Sequence, residues 1–216
     1  MSARADVLAR AARITRSPAK RAFDVLFSTA ALIVTSPLWL VVPLAIKLDD
    51  RGAVFYGQPR SGLGGRAFVA WKFRSMVADA DRDGARQAVA GDPRVTRVGR
   101  ALRATAMDEL PQLWNILRGD MSVVGPRALR PGEIEAGSAG GVERLEAVPG
   151  FRTRSAVRPG LTGLAQIHAR RDLPRRQKFR YDRLYISRQS FWLDVWLVLQ
   201  SLVITVLGSW ERRGIR

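Results

Sequence analysis

From Val25 to Ile46 the chain runs for 22 residues without a formal charge, VLFSTAALIVTSPLWLVVPLAI. A helix of that length can cross the hydrocarbon core of a bilayer. The run is too long for the apolar region of a signal peptide, and no small-residue cleavage site follows it, so it is expected to be retained as an anchor. Ser36-Pro37 stands near its middle. Proline removes a backbone donor and crowds the preceding turn, which predicts a bend there. Arg13, Arg16, Lys20 and Arg21 precede the run, and Lys47, Arg51 and Arg60 follow it. Positive charge on both sides gives the positive-inside rule no clear winner for a simple crossing. Three readings stay open on these residues: a bent helix that enters the bilayer and returns to the same face, a straight span that tolerates its proline, and the core helix of a soluble domain. The last is disfavoured because such a helix usually shows a polar stripe.

The remaining composition narrows the chemistry. With 36 basic and 19 acidic residues the net charge is +17. That excess calls for an anionic partner: nucleic acid, lipid headgroups or phosphorylated substrates. The chain contains no cysteine, which excludes disulfides, thiol nucleophiles and thiolate zinc sites. Its one histidine, His168, excludes a multi-histidine metal site and argues against a Ser-His-Asp triad. Any metal must then be held by carboxylate oxygens, which favours magnesium or manganese.

A second apolar stretch, Phe191 to Leu207, is interrupted by Asp194 and Gln200 and is rich in tryptophan. It reads as a helix lying in the headgroup plane or packing against the anchor, with a core helix as the alternative. Residues 53–60 and 66–73 flank a glycine-rich turn, Ser61-Gly-Leu-Gly-Gly65, and predict a β-hairpin. Residues 78–90 read as an exposed helix or loop, 95–103 as a short basic helix, and 107–117 as a helix beginning at or just before Asp108. Residues 133–150 read as a helix pair or a loop. The ends, residues 1–15 and 211–216, are expected to be disordered. Residues 152–188 carry eleven basic residues against Asp172 and Asp182, directly ahead of the second apolar stretch, a pattern suited to an anionic membrane surface.

Asp108-Glu109 is the sharpest local feature. Two adjacent carboxylates at an expected helix start, near Arg100 and Arg103, would be held ionised by free backbone N–H groups, which suits a nucleophile or a magnesium ligand. A first-turn acidic pair that merely favours the helix is the plainer reading. Downstream, Gly119-Asp-Met-Ser-Val-Val-Gly-Pro-Arg127 and Val157-Arg-Pro-Gly-Leu-Thr-Gly-Leu-Ala-Gln166 are glycine-punctuated loops with an arginine. Each reads as a phosphate cradle or as an ordinary structural turn.

Taken in order, Lys72-Phe-Arg-Ser-Met76, Asp108-Glu-Leu-Pro-Gln-Leu-Trp-Asn-Ile-Leu-Arg-Gly-Asp-Met-Ser-Val-Val-Gly-Pro-Arg127 and Arg158-Pro-Gly-Leu-Thr-Gly-Leu-Ala-Gln166 resemble the bacterial sugar transferase family, the monotopic phosphoglycosyl transferases. Lys20-Arg-Ala-Phe-Asp24 fits the family's opening motif, and Tyr181-Asp-Arg-Leu-Tyr185 with Ser190–Asp194 its closing one. The resemblance runs from about residue 18 to 207. It implies a helix-rich α+β fold: a re-entrant membrane helix broken at Ser36 and Pro37, a small β-hairpin and interfacial amphipathic helices. The expected organisation is a basic tail (1–17), the re-entrant helix (18–48), a catalytic domain on the cytoplasmic side of the bacterial inner membrane (49–210) and a C-terminal tail (211–216). The resemblance implies the small catalytic form of the family, expected to lack the added N-terminal membrane helices of larger members.

The implied reaction moves a sugar 1-phosphate from a UDP-sugar to polyprenyl phosphate and releases UMP, as the first membrane step of polysaccharide or other glycoconjugate assembly. Asp108 is the implied nucleophile, forming an aspartyl phosphosugar, and a ligand of Mg2+ or Mn2+. Glu109 either takes a proton from the acceptor phosphate or positions it. Arg103, Arg127 and Arg170 are implied to hold phosphates, with Lys72 a further candidate. The implied partners are the two substrates and anionic lipids, without nucleic acid; a homodimer is left open. Two departures concern local loop geometry and sugar preference: Ile167-His-Ala-Arg170 stands where the family usually ends Asn-Gly-Arg, and Ala128 where it usually has proline. His168 is then either a substrate contact or a surface histidine. A basic nucleic-acid-binding protein and a non-catalytic membrane scaffold are the alternatives from other classes; the apolar run argues against the first and the intact Asp108-Glu109 pair against the second.

Overall fold

The computed structural model describes residues 3–80, 91–136, 142–170 and 173–207. The expectations for 211–216 and for most of 78–90 lie outside these residues.

The chain opens with α1 (Ala3–Thr15), α2 (Pro18–Val34) and α3 (Leu38–Asp50). Residues 3–15, expected to be disordered, instead form α1, because Ala11 is fully buried and Val7 packs on the central apolar cluster. Ser17 caps α2 by accepting from the Lys20 amide at 3.2 Å, and Pro18 takes the first helical position, where a missing N–H costs nothing. The apolar run is thus two helices, bent by 62° at a break between Val34 and Leu38. Pro37 cannot donate, and the Ala31 carbonyl accepts both from the Thr35 amide at 2.9 Å and from Thr35 Oγ1 at 2.7 Å, a shared acceptor of the kind that bends helices. Among the described residues no single helix is long and apolar enough to cross a membrane, whereas the bent pair together is.

The expected hairpin is present as β1 (Phe55–Ser61) and β2 (Ala67–Phe73), antiparallel from Phe55↔Phe73 to Ser61↔Ala67. Its turn contains Gly64 and Gly65 at φ +66° and +79°, a conformation that side chains other than glycine rarely adopt. The basic helix follows as α4 (Arg97–Ala104), capped by Thr96 accepting from the Gly99 amide at 2.9 Å. The expected helix over 107–117 divides into a 3-10 turn, Met107–Glu109, and α5 (Gln112–Arg118).

Beyond it lie β3 (Ser122–Val124), β4 (Ile134–Ala136), β5 (Val142–Arg144), α6 (Phe151–Arg154), β6 (Gly160–Thr162), α7 (Leu164–His168), α8 (Arg175–Arg188) and α9 (Phe191–Val206). Residues 133–150, read as a helix pair or a loop, hold the antiparallel pair β4–β5. β3 and β6 pair in parallel, Ser122 opposite Gly160 and Val124 opposite Thr162. The molecule is therefore a helix-rich α+β fold with a small hairpin.

The core joins Leu113 and Ile116 of α5, Val123 and Val124 of β3, Tyr185 and Ile186 of α8, and Leu197, Val198 and Ile204 of α9. The helix expected over 191–207 is half core and half surface. Asp194, Leu197, Val198 and Ile204 are buried, while Trp192, Trp196, Leu199, Val203 and Val206 recur at helical spacing on the opposite, exposed side. The α2–α3 pair likewise leaves Leu26, Ile33, Val34, Leu40, Val41, Leu44 and Leu48 between 56% and 79% exposed.

The opening and closing motifs meet in a buried polar network. Lys20 Nζ lies 2.8 Å from Asp194 Oδ2 and 3.4 Å from Asp24 Oδ1. Asp24 accepts from Ser122 Oγ at 2.9 Å and from the Val123 amide at 3.0 Å, and Tyr185 donates to Asp194 at 2.8 Å. These bonds join α2, β3, α8 and α9.

Candidate active site

A cavity of about 1050 Å³ opens between the hairpin, the turn at Met107–Glu109 and helices α2, α8 and α9. One side carries charge: Lys72, Arg103, Asp108, Glu109, Arg127 and Arg154. An apolar part of the lining comes from the α2–α3 pair and α9, with Phe27, Ala31, Leu38, Val198 and Leu202.

Asp108 is 6% exposed and sits in the 3-10 turn rather than at a helix start. The helix start expected at Asp108 is therefore corrected to a 3-10 turn, with α5 beginning at Gln112. Burial raises the Asp108 pKa, and Lys72, 3.9 Å from Oδ2, only partly opposes that, with Glu109 adding repulsion. Glu109 behaves in the opposite way. Burial alone would raise its carboxyl, but Arg127 and Lys72 outweigh burial by charge and hydrogen bonding and hold it far below the usual carboxylate range. Lys72 Nζ lies 2.6 Å and Arg127 Nη2 2.7 Å from the same oxygen, Glu109 Oε1. Two adjacent acids thus occupy different electrostatic states.

The scaffold explains how residues 36 positions apart in sequence reach each other. Lys72 lies on β2, and Asn115 of α5 holds that strand. The Trp71 amide donates to Asn115 Oδ1 at 3.1 Å, and Asn115 Nδ2 donates to the Val69 carbonyl at 2.7 Å and to Asp120 Oδ2 at 3.2 Å. Sequence reasoning did not single out Asn115. The readable signal was a polar side chain on the buried face of a helix whose neighbours Leu113 and Ile116 are core.

Arg103, in the last turn of α4, lines the same wall and lowers the Asp108 pKa through its charge. Arg170 is exposed and is not among the described residues lining the cavity, although Ala169 is. His168 is exposed and stacks on Trp196, ring centroids 5.5 Å apart, at the surface of α9 rather than on the cavity wall. Arg60 was not proposed for the site from sequence. It lines the cavity and donates to the Ala128 carbonyl at 2.9 Å, and burial beside Arg127 pulls its pKa down to about 10.

In the two glycine loops it is close backbone packing that requires glycine. A Cβ on Gly125 would lie 2.4 Å from the Arg158 carbonyl oxygen, and one on Gly160 would lie 2.0 Å from the Gly125 nitrogen. The glycines of the two loops are used against each other, letting β3 and β6 pair backbone to backbone and bringing Arg127 onto the cavity.

Among the described residues no three histidine, cysteine or carboxylate side chains cluster as a metal site. Asp108 with Glu109 still fits a hard divalent cation of the magnesium type, which takes one or two carboxylates and completes its shell with substrate phosphates and water. Since Glu109 Oε1 already accepts from Lys72 and Arg127, Asp108 is the principal protein donor available.

The sequence matches a known family and several of its members. The model of a family described as "Bacterial sugar transferase" matches residues 15–208. The chain is 46% identical over 191 residues to the undecaprenyl-phosphate glucose phosphotransferase of Komagataeibacter xylinus, covering 85% of this chain and 35% of that protein. It is 44% identical over 190 residues to the exopolysaccharide production protein PSS of Rhizobium leguminosarum bv. phaseoli, covering 85% of this chain and 93% of that protein. It is 38% identical over 195 residues to a UDP-N-acetylgalactosamine-undecaprenyl-phosphate N-acetylgalactosaminephosphotransferase of Aeromonas hydrophila, covering 88% of this chain and 44% of that protein. The chain therefore spans about a third of the first relative, nearly all of the second and less than half of the third.

Proposed function

The chain belongs to the bacterial sugar transferase family, and from that membership we propose that it is a phosphoglycosyl transferase that moves a sugar 1-phosphate from a UDP-sugar to a polyprenyl phosphate and releases UMP. The observation that carries this reading is Asp108 buried in a cavity with Lys72, Arg103 and Arg127 on the same wall. A water-poor carboxylate surrounded by fixed cations suits nucleophilic attack on an anionic phosphorus, because the cations offset the repulsion between the two.

In the proposed first step Asp108 attacks the sugar-linked phosphorus of the donor. The bond to the UMP oxygen breaks, UMP leaves with the bonding pair, and an aspartyl phosphosugar remains. In the second step an oxygen of the polyprenyl phosphate attacks the same phosphorus and the Asp108 carboxylate is released. Arg127 and Lys72 hold phosphate oxygens, Arg127 as a planar fork and Lys72 as a point charge. Glu109 is a poor proton acceptor in its present state, since two cations stabilise its anion; its role in this reading is to keep those cations aimed beside Asp108. Asp108 would hold a magnesium or manganese ion, which would supply further charge neutralisation.

The apolar side of the cavity supports a lipid acceptor. A prenyl tail can leave between α2 and α9 while its phosphate stays with the basic residues. With the 62° bend and the exposed apolar faces, this favours α2–α3 (within residues 18–48) as a re-entrant element at the cytoplasmic face of the bacterial inner membrane, with 49–210 as the catalytic part and α9 along the headgroups. The net charge of +17 suits such a surface.

The test is direct. Purified protein with magnesium, undecaprenyl phosphate and a panel of UDP-sugars is expected to release UMP with at least one donor and to lose that activity in Asp108→Asn. Release of UDP would mean glycosyl transfer and overturn the reading.

A further inference from the structure

The segment that delivers Arg127 to the cavity is pinned at four successive carbonyls. Pro126 O accepts from the Gly160 amide at 2.9 Å, Ala128 O from Arg60 Nη1 at 2.9 Å, and Leu129 O from the Ser61 amide at 2.8 Å. The fourth, the carbonyl of Arg127 itself, accepts from Arg154 Nη2. Arg154 is in turn fixed on two further sides. Its Nε donates to Asp182 Oδ2 at 2.9 Å, and its guanidinium lies over the Phe179 ring, 5.0 Å from the centroid.

This ion pair is almost completely buried, the side chains of Arg154 and Asp182 being 6% and 5% exposed. Burying two charges is costly, and an apolar pair of similar volume often serves stability as well or better. An apolar pair could not, however, donate to the Arg127 carbonyl. Burial raises the Asp182 pKa and Arg154 opposes that shift. The two residues stand on α6 and α8, and neither is among the phosphate-holding residues considered above. Asp182 belongs to the Tyr181-Asp-Arg-Leu-Tyr185 motif, whose other buried member, Tyr185, is occupied by Asp194 and the Val124 carbonyl.

We propose that Arg154 and Asp182 are positioning residues: through the Arg127 carbonyl they fix where the Arg127 guanidinium enters the cavity, and so set the affinity for the donor diphosphate. The proposal rests on Arg127 being a phosphate ligand, as in the function proposed above. Asp182 orients Arg154, Arg154 holds the carbonyl, and the carbonyl fixes the backbone from which the guanidinium extends to Glu109. Because Pro126, Ala128 and Leu129 have their own partners, release of the Arg127 carbonyl would alter the aim of one side chain without dissolving the segment.

The experiment is a set of kinetic cycles on the full chain in lipid nanodiscs, with UMP release from an accepted UDP-sugar as readout and the melting temperature measured in parallel. Arg154→Met, Arg154→Lys and Asp182→Asn are each made alone and with Arg127→Met. The expected result is a loss of tenfold or more in kcat/KM for each single variant, mainly as a raised donor KM. In the Arg127→Met background the same changes should cost less than twofold. Arg154→Lys keeps a charge for Asp182 but not the fork that holds both partners, so it should behave like Arg154→Met; it decides the matter if Arg154→Met does not fold. Losses that multiply fully with that of Arg127→Met would overturn the proposal, since the pair would then act on substrate or on the fold at large. Full activity in Arg154→Lys or Asp182→Asn would also overturn it. An active parent whose Arg127→Met variant is undiminished would remove the premise and the proposal together. A parent that releases no UMP from any donor would overturn the function proposed above, and the proposal would fall with it.

Discussion

Lys20 Nζ lies 2.8 Å from Asp194 Oδ2, so the first turn of α2 is bonded to the first turn of α9, near opposite ends of the chain. Lys20 is also 3.4 Å from Asp24, and both carboxylates are buried. One cation therefore serves two anions. Breaking such a buried group by removing one partner costs about 3–5 kcal/mol, because the other charge is left uncompensated. Lys20→Met is expected to destabilise the protein more than Asp194→Asn, since it leaves Asp24 and Asp194 facing each other. Chemical unfolding in detergent, followed by near-UV circular dichroism, checks the order.

Asp108→Asn is expected to abolish UMP release while raising stability at neutral pH. The folded-state pKa of Asp108 is raised by burial, so the folded protein binds its proton more tightly than the unfolded chain does. Stability therefore falls as pH climbs from the ordinary aspartate value, about 3.9, through the raised folded value. The variant's advantage should be absent below the ordinary value and complete above the raised one. Melting temperatures of both proteins across that range test it; a less stable variant at pH 7 would contradict it.

Glu109→Gln is expected to show the opposite sign. Its carboxyl is lowered on folding by Arg127 and Lys72, so its contribution is present above the ordinary glutamate value, about 4.3, and is lost as pH falls toward the depressed folded value. At pH 7 the variant should be less stable by about 3 kcal/mol, in the range for a broken buried pair. The deficit should shrink with acidification below about pH 4. Activity should fall at least tenfold, because Lys72 and Arg127 lose the anion that aligns them.

The absence of cysteine makes the bend at Ser36-Pro37 directly testable. Single cysteines replacing the exposed Ala5 and Ala53 are expected to react from the same side of the membrane with an impermeant maleimide. Replacing Ser36 and Pro37 by leucine restores a donor to the ladder and should carry the two positions to opposite sides. Opposite labelling in the parent would refute the re-entrant arrangement.

Much of the layout is legible from residue order. The hairpin follows from strand-like runs around Gly64, α4 from Thr96 ahead of a basic helical stretch, and the bend from Pro37 inside an apolar run. The upward shift of the Asp108 pKa was not legible, because adjacency to Glu109 says nothing of burial. β4 and β5 were missed because Gly and Ala give 133–150 little strand character. α1 was missed because its reason for folding, burial of Ala11, comes from distant parts of the chain. Asn115 and Arg154 act on backbone carbonyls and amides of remote segments, contacts that no local spacing encodes. Lys72 and Arg127 were readable as cations, but their sharing of one Glu109 oxygen depends on tertiary placement.

The contact between Gly125 and Gly160 leaves less room than a methyl group occupies. Gly163 repeats the restriction, since a Cβ there would lie 2.2 Å from the Gly125 carbonyl oxygen. The two loops consequently fit together as one unit. A chimera that imports either loop from a divergent relative, with any side chain at these positions, would push β6 off β3 and swing Arg127 out of reach, whereas exchanging both loops together would preserve the fit.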